Sequence, residues 1–194
     1  MAEVTNKNIQ VKHCSQRVGV FVDVQNLYYS AKAVYKARVN FKSILDKAVS
    51  DRNLIRAITY VIKADVQDEQ TFFDALSKMG FEVKAKDLQI FYGGQKKGDW
   101  DVGIAMDIMR LASKLDVVVL ASGDGDFTDL LVHAKALGCK TEVLAFQKSA
   151  SAKLIEVADE FVNLGVDGTY IISPSKSARR PVKKPVETTK KIIK

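Results

Sequence analysis

The run Val117 to Ala121, V-V-V-L-A, is apolar at every position and stops abruptly at S-G-D-G-D-F, where two carboxylates, Asp124 and Asp126, stand among glycines. An uninterrupted apolar run of this length reads as a strand covered on both faces, the pattern of a parallel sheet flanked by helices. A second such run, V-G-V-F-V-D-V at residues 18–24, carries one acid, Asp23, near its far end and is followed at once by Gln25 and Asn26. In open α/β sheets ligands bind outside the carboxyl ends of the strands. The acids that end both runs are therefore expected on one rim.

The rest of the chain keeps the same rhythm. Helical spacing is expected from residue 26 or 27 to about 37, and again through residue 49 with Asn40 as N-cap. A strand over 54–62 precedes a helix over 68–79, whose apolar positions Phe72, Phe73, Leu76 and Met79 share a face and which Gly80 closes. Short strands over 81–85 and 88–92 lead into a glycine-rich, lysine-bearing loop, G-G-Q-K-K-G. The helix expected over 101–113 is apolar nearly all round and on that ground should be buried. A strand over 116–121, a helix over 127–137 ended by Gly138, a strand over 140–146, a helix over 149–158 and a strand over 161–164 complete the body. Strands alternating with helices predict an α/β fold, a Rossmann-like parallel sheet with helices on both faces. The expected organisation is an N-terminal arm over 1–16, one domain over 17–170, and a disordered basic tail over 171–194.

The tail is set apart by charge. Eight of the 30 Lys and Arg residues but only one of the 23 Asp and Glu residues lie in 171–194, so this stretch carries the entire formal net charge of +7, together with all three prolines. So little apolar surface cannot offset the entropy of ordering it, and a basic extension of this kind attracts phosphate backbones through counterion release. No run approaches the roughly 20 apolar residues of a membrane helix, and the first 17 residues have no secretory pattern, so a cytoplasmic location without membrane contact is expected. Cys14 and Cys139 lie far apart and suggest no disulfide framework. His13 and His133 have no neighbour at zinc-ligand spacing.

Further carboxylates stand in K-K-G-D-W-D-V-G-I-A-M-D, residues 96–107. Six positions separate Asp101 from Asp107, about 120° around a helix, so both face one ion only if Asp101 sits at or before the first turn. Asp99 is expected to cap that helix, and Asp107 either joins the site or pairs with Arg110 three residues on. Capping also offers a structural account of Asp126, since D-F-T-D reads as an N-cap with an acid at N3. It leaves Asp23, Asp101 and Asp124 unexplained. Carboxylates gathered on one rim repel unless protons or a cation intervene, and with no thiolate or imidazole nearby the expected cation is Mg²⁺ or Mn²⁺. Neither G-x-G-x-x-G nor G-x-x-x-x-G-K-[ST] is present, which removes the main support for dinucleotide and P-loop readings.

Taken in order, F-V-D-V-Q-N-L at residues 21–27, the 96–107 segment and S-G-D-G-D-F at residues 122–127 resemble the NYN domain, a PIN-like nuclease family, most closely its LabA-like group. The resemblance implies a Rossmann-like, PIN-like fold and metal-dependent cleavage of RNA. It assigns Asp23, Asp101, Asp124 and Asp126 as metal-holding catalytic acids and Asn26 as their polar companion, while Asp107 is a further candidate only through its position on the helix. Lys96 or Lys97 could hold the scissile strand, and Tyr92 and Trp100 could stack on unpaired bases, which favours single-stranded RNA as partner. Two other functions fit the same residues: a catalytically silent RNA-binding or regulatory module, and a small-phosphoester hydrolase.

Overall fold

The computed structural model describes residues 12–63, 69–90 and 96–173, without the side chains of 89, 90, 96 and 97. Its centre is a six-stranded sheet of β1 (Arg17–Asp23), β3 (Asn53–Lys63), β4 (Glu82–Asp87), β7 (Val117–Ala121), β8 (Lys140–Ala145) and β9 (Glu160–Asn163). Every pairing in it is parallel, in the order β4-β3-β1-β7-β8-β9. The chain builds outward from β1 in one direction through β3 and β4, then returns and builds outward in the other through β7, β8 and β9. The sheet therefore has a topological switch point between β1 and β7, the place where such sheets open a crevice at their carboxyl edge.

The apolar runs bury both faces, as a period of two in each strand requires. Val18, Val20 and Val22 of β1 and Val117, Val119 and Ala121 of β7 point to one core, with Leu27 and Ala31, Ile44 and Leu45, and Leu76. These come from α1 (Val24–Tyr35), α2 (Phe41–Val49) and α3 (Glu69–Lys78) respectively. Phe21, Val118 and Leu120 point to the other core, against Ile104 and Ile108 of α4 (Asp101–Ala112), Leu131 of α5 (Thr128–Ala136) and Leu154 of α6 (Ala152–Val157). Asn40 caps α2 as expected, accepting from the Ser43 N–H, and Gly80 and Gly138 follow α3 and α5 with positive φ.

Several expectations need correction. Helix α4 is not buried all round: Ile104, Asp107, Ile108 and Ala112 face inward, while Val102, Met106 and Met109 are exposed. Asp99 does not cap it, because Trp100 holds the N-cap position and no side chain bonds the free N–H groups. Asp126 does not cap α5 either. A 3-10 turn, Gly125–Phe127, intervenes between β7 and the helix, and the cap of that turn is Asp124. Two short antiparallel ribbons stand apart from the main sheet, and of their strands only β5 falls within an expected one. β2 (Arg38–Val39) pairs antiparallel with β10 (Ile171–Ile172), so two residues placed in the tail by their sequence belong to the folded body. β5 (Gln89–Ile90) pairs with β6 (Lys96–Lys97), and the expected strand over 88–92 is described only in its first three residues. The tail from residue 174, the first 11 residues, Tyr92 and the G-G-Q segment at 93–95 lie outside the described residues.

Candidate active site

Strand β1 ends at Asp23, and α1 begins at the next residue. The turn is closed by the Asp23 carboxylate itself, whose Oδ1 accepts the Asn26 N–H at 3.1 Å as the N-cap of α1. Its other oxygen accepts from Ser122 Oγ at 3.2 Å, and Ser122, fully buried, accepts in turn from the Asp124 N–H at 3.2 Å. The Asn26 side chain crosses to the neighbouring loop, where its Oδ1 accepts the Gly123 N–H at 2.9 Å. These bonds tie the β1–α1 turn to the loop after β7 and so hold the switch point shut from below. A side chain at Gly123 would press on the Ala150 backbone at 3.0 Å, so the loop lies flat against the segment before α6 only because residue 123 has none.

The loop then turns its acids outward. Asp124 Oδ1 accepts the Asp126 N–H at 3.0 Å, which fixes the spacing of the pair. Across the crevice Asp101 starts α4, where a helix N-terminus favours negative charge. Carboxylate oxygens of Asp101, Asp124 and Asp126 lie within 4.8 Å of one another, and Asp126 is the most exposed of the three. Asp23 is not in that grouping. It stands beside it at 9 % exposure, with both oxygens engaged in the turn.

The electrostatics follow from crowding. Burial pushes the Asp23 carboxyl up to about 6, against the Asn26 and Ser122 hydrogen bonds, and the charges of Asp101 and Asp124 push the same way. Asp101 is raised by burial first, then by Asp99, Asp124 and Asp126, with Lys86 opposing. The site is thus a concentration of negative charge that the protein alone leaves only partly compensated. Hard oxygen donors at this spacing, without thiolate or imidazole among them, fit a cation of the Mg²⁺ or Mn²⁺ kind.

Asp107 lies elsewhere. Tyr60 Oη donates to it at 2.7 Å and Lys84 Nζ at 2.6 Å, and Arg110 stands 3.9 Å away. Burial works against its charge, but the Lys84 and Tyr60 hydrogen bonds hold it below the usual carboxylate range. It is a structural acid joining α4 to β3 and β4. Trp100 is a structural residue as well: its indole N–H donates to the Val61 carbonyl at 2.8 Å, and its ring packs 5.3 Å from that of Tyr60. Lys86 sits over the Trp100 ring at 5.0 Å. The backbones of Lys96 and Lys97 form β6, and their side chains lie outside the described residues.

Two participants were missed in the sequence. Ser122 stands between the apolar run and the first glycine, and a hydroxyl at the end of a fully buried strand was a readable signal. Lys86 gave none, since its place beside Asp101 depends on β4 lying next to β3.

With this geometry in view, the comparisons with known proteins bear on the same residues. The NYN domain model matches residues 17–165. The chain belongs to the NYN domain family. NYN is a PIN-like nuclease family, and the matched span contains Asp23, Asn26, Asp101, Asp124 and Asp126. Low amplitude and bright protein LabA from Synechococcus elongatus is 24% identical over 164 residues, spanning 80% of this chain and 87% of that protein. The crystal structure of VPA0982, a protein of unknown function from Vibrio parahaemolyticus, superposes with a TM-score of 0.76 at 31% identity, covering 84% of this chain and 99% of that one. This NYN chain thus shares its architecture with a solved relative over nearly the whole described body. Among the described residues no helix is long and apolar enough to cross a membrane.

Proposed function

We propose that this NYN protein is a metal-dependent ribonuclease that hydrolyses phosphodiester bonds of single-stranded RNA. The observation that carries the reading is the convergence of Asp101, Asp124 and Asp126 at the switch point of the sheet, with oxygens within 4.8 Å and Asp23 beside them. Asp101, Asp124 and Asp126 would hold Mg²⁺ or Mn²⁺, with Asp23 the innermost acid of the set. A divalent cation supplies charge neutralisation at the scissile phosphate and a lowered pKa for the attacking water.

The remaining work belongs to the chain. Asn26 and Ser122 keep the two strand ends at a constant separation, so the acids meet the phosphate already positioned, and such positioning is itself a large part of the rate. Lys86 stands on the Asp101 side as a counter-charge for a backbone phosphate. Water adds to phosphorus, the bond to the ribose oxygen of the departing strand breaks, and the products carry a phosphate and a hydroxyl end. A direct comparison tests the substrate class. In Mg²⁺ the wild type is expected to cut a labelled single-stranded RNA far faster than it turns over a chromogenic phosphodiester at equal concentration. Faster turnover of the small ester would favour a small-phosphoester hydrolase instead.

A further inference from the structure

Beside the acid rim, on the α1 side of the sheet, lies a groove of ≈ 650 Å³. Its wall begins with Val24 and Gln25, the two residues directly after Asp23, and its floor includes Val61, whose carbonyl receives the indole of the tryptophan preceding Asp101. Val24 and Gln25 place the groove next to the site in the chain, although none of the four acids lines it, and its volume is that of a small-molecule pocket rather than an ion site.

Its lining is unusual for a surface that meets only water. Tyr28 and Tyr29 are 41% and 61% exposed, Phe72 is 38% exposed and Ile172 is 46% exposed, and all four line this one groove. Contiguous exposed apolar surface of this kind marks a binding site. Arg38 and Glu69 are the charged residues of its lining, and Lys32, outside the lining, has its Nζ 5.5 Å from the Tyr28 ring. Ile172, in β10, is pinned to Arg38 by the β2 pairing, and the residues that follow it carry eight lysines and arginines against a single glutamate. Aromatic faces that stack bases, flanked by cations that meet phosphates, form the combination that recognises unpaired nucleic acid.

We infer that this groove is a base-stacking subsite, which holds the bases of the RNA strand flanking the bond presented to the acids. The inference rests on the ribonuclease reading for the identity of the strand, but not on catalysis. Tyr29 is the principal platform and Tyr28 the second, with Arg38 meeting the backbone.

The test is fluorescence anisotropy of a labelled single-stranded RNA in EDTA, so that affinity is read without cleavage, using wild type, Tyr29→Ala, Tyr29→Phe and Arg38→Ala. Tyr29→Ala is expected to bind at least about fivefold more weakly, as loss of one stacked base implies, and Tyr29→Phe to bind as wild type. Arg38→Ala should lower the salt dependence of binding, while Tyr29→Ala leaves it unchanged. A strand with abasic nucleotides separates stacking from a general loss of structure: on it, wild type and Tyr29→Ala should bind equally. Equal affinity of Tyr29→Ala and wild type for intact RNA would overturn the subsite. So would a Tyr29→Ala defect that persists on abasic RNA, or a concentration-dependent dimer that Tyr29→Ala abolishes, which would give the groove to a second copy. A protein that binds in this base-dependent way yet never cuts would sink the nuclease reading and leave the groove intact. Cleavage with a silent Tyr29 would do the reverse.

Discussion

Asp23 shows what the site costs at the level of a single residue. Its folded-state pKa lies near 6, above its ordinary 3.8, because burial and two neighbouring carboxylates disfavour its charge. The folded protein therefore binds this proton more tightly than the unfolded chain does. Stability from Asp23 is greatest below about pH 4 and falls as pH rises to about 6, beyond which the charged carboxylate is a constant burden. Asp23→Asn should stabilise the metal-free protein by roughly 2–3 kcal/mol at pH 8 and by nearly nothing at pH 4. Urea melts of both proteins in EDTA at the two pH values check this, and a variant weaker than wild type at pH 8 would refute the strain. Saturating Mg²⁺ should narrow the gap, since a cation favours the carboxylate.

At the scale of elements, the start of α4 aims Asp101, and Trp100 sets that start. A Cβ at Gly103 would lie 2.5 Å from Trp100 Cε3, so the ring packs across the helix only because that position is bare. Gly103→Ala should displace the indole and with it Asp101, lowering the rate of RNA cleavage by tenfold or more, with a much smaller change in overall stability. Paired kcat and thermal-melt measurements would show the split. A contrasting element lies at the opposite edge of the sheet. Arg52, just before β3, makes a bidentate ion pair with Glu142 of β8 at 2.7 and 2.9 Å, and both side chains are almost fully buried. Arg52→Ala should cost on the order of 3 kcal/mol, the lower end for breaking a buried pair, because Lys140 remains 3.0 Å from Glu142. Cleavage per folded molecule should be unchanged, read as chemical denaturation beside activity corrected for the folded fraction.

Across the whole molecule, what the sequence made legible was whatever is encoded locally. Fully apolar runs declared buried parallel strands, glycines declared helix ends, and acids at strand ends declared an acidic rim at the carboxyl edge of the sheet. The reading failed where the cause is non-local. The Arg52–Glu142 pair joins residues 90 positions apart, the β2–β10 ribbon is two residues per strand, and the aromatic groove exists only once α1, β2 and α3 are brought side by side. It also failed where residue type misled: α4 is apolar in composition, yet Val102, Met106 and Met109 face water. The charge division of the whole chain carries a prediction of its own. Because residues from 174 onward hold the entire net charge of +7, deleting 174–194 should weaken RNA binding and flatten its salt dependence. An unchanged slope in a salt titration would make the tail incidental.

One measurement bears most directly on the central claim: cleavage of a labelled single-stranded RNA by wild type and Asp124→Asn, each in Mg²⁺, Mn²⁺ or EDTA, with folding of both checked by circular dichroism. Metal-dependent cutting by the wild type, abolished by EDTA and reduced at least about a hundredfold in the folded variant, is the expected result. Cutting retained by Asp124→Asn would contradict the assignment of the site, and binding without any cutting by either protein would show a silent RNA-binding module instead.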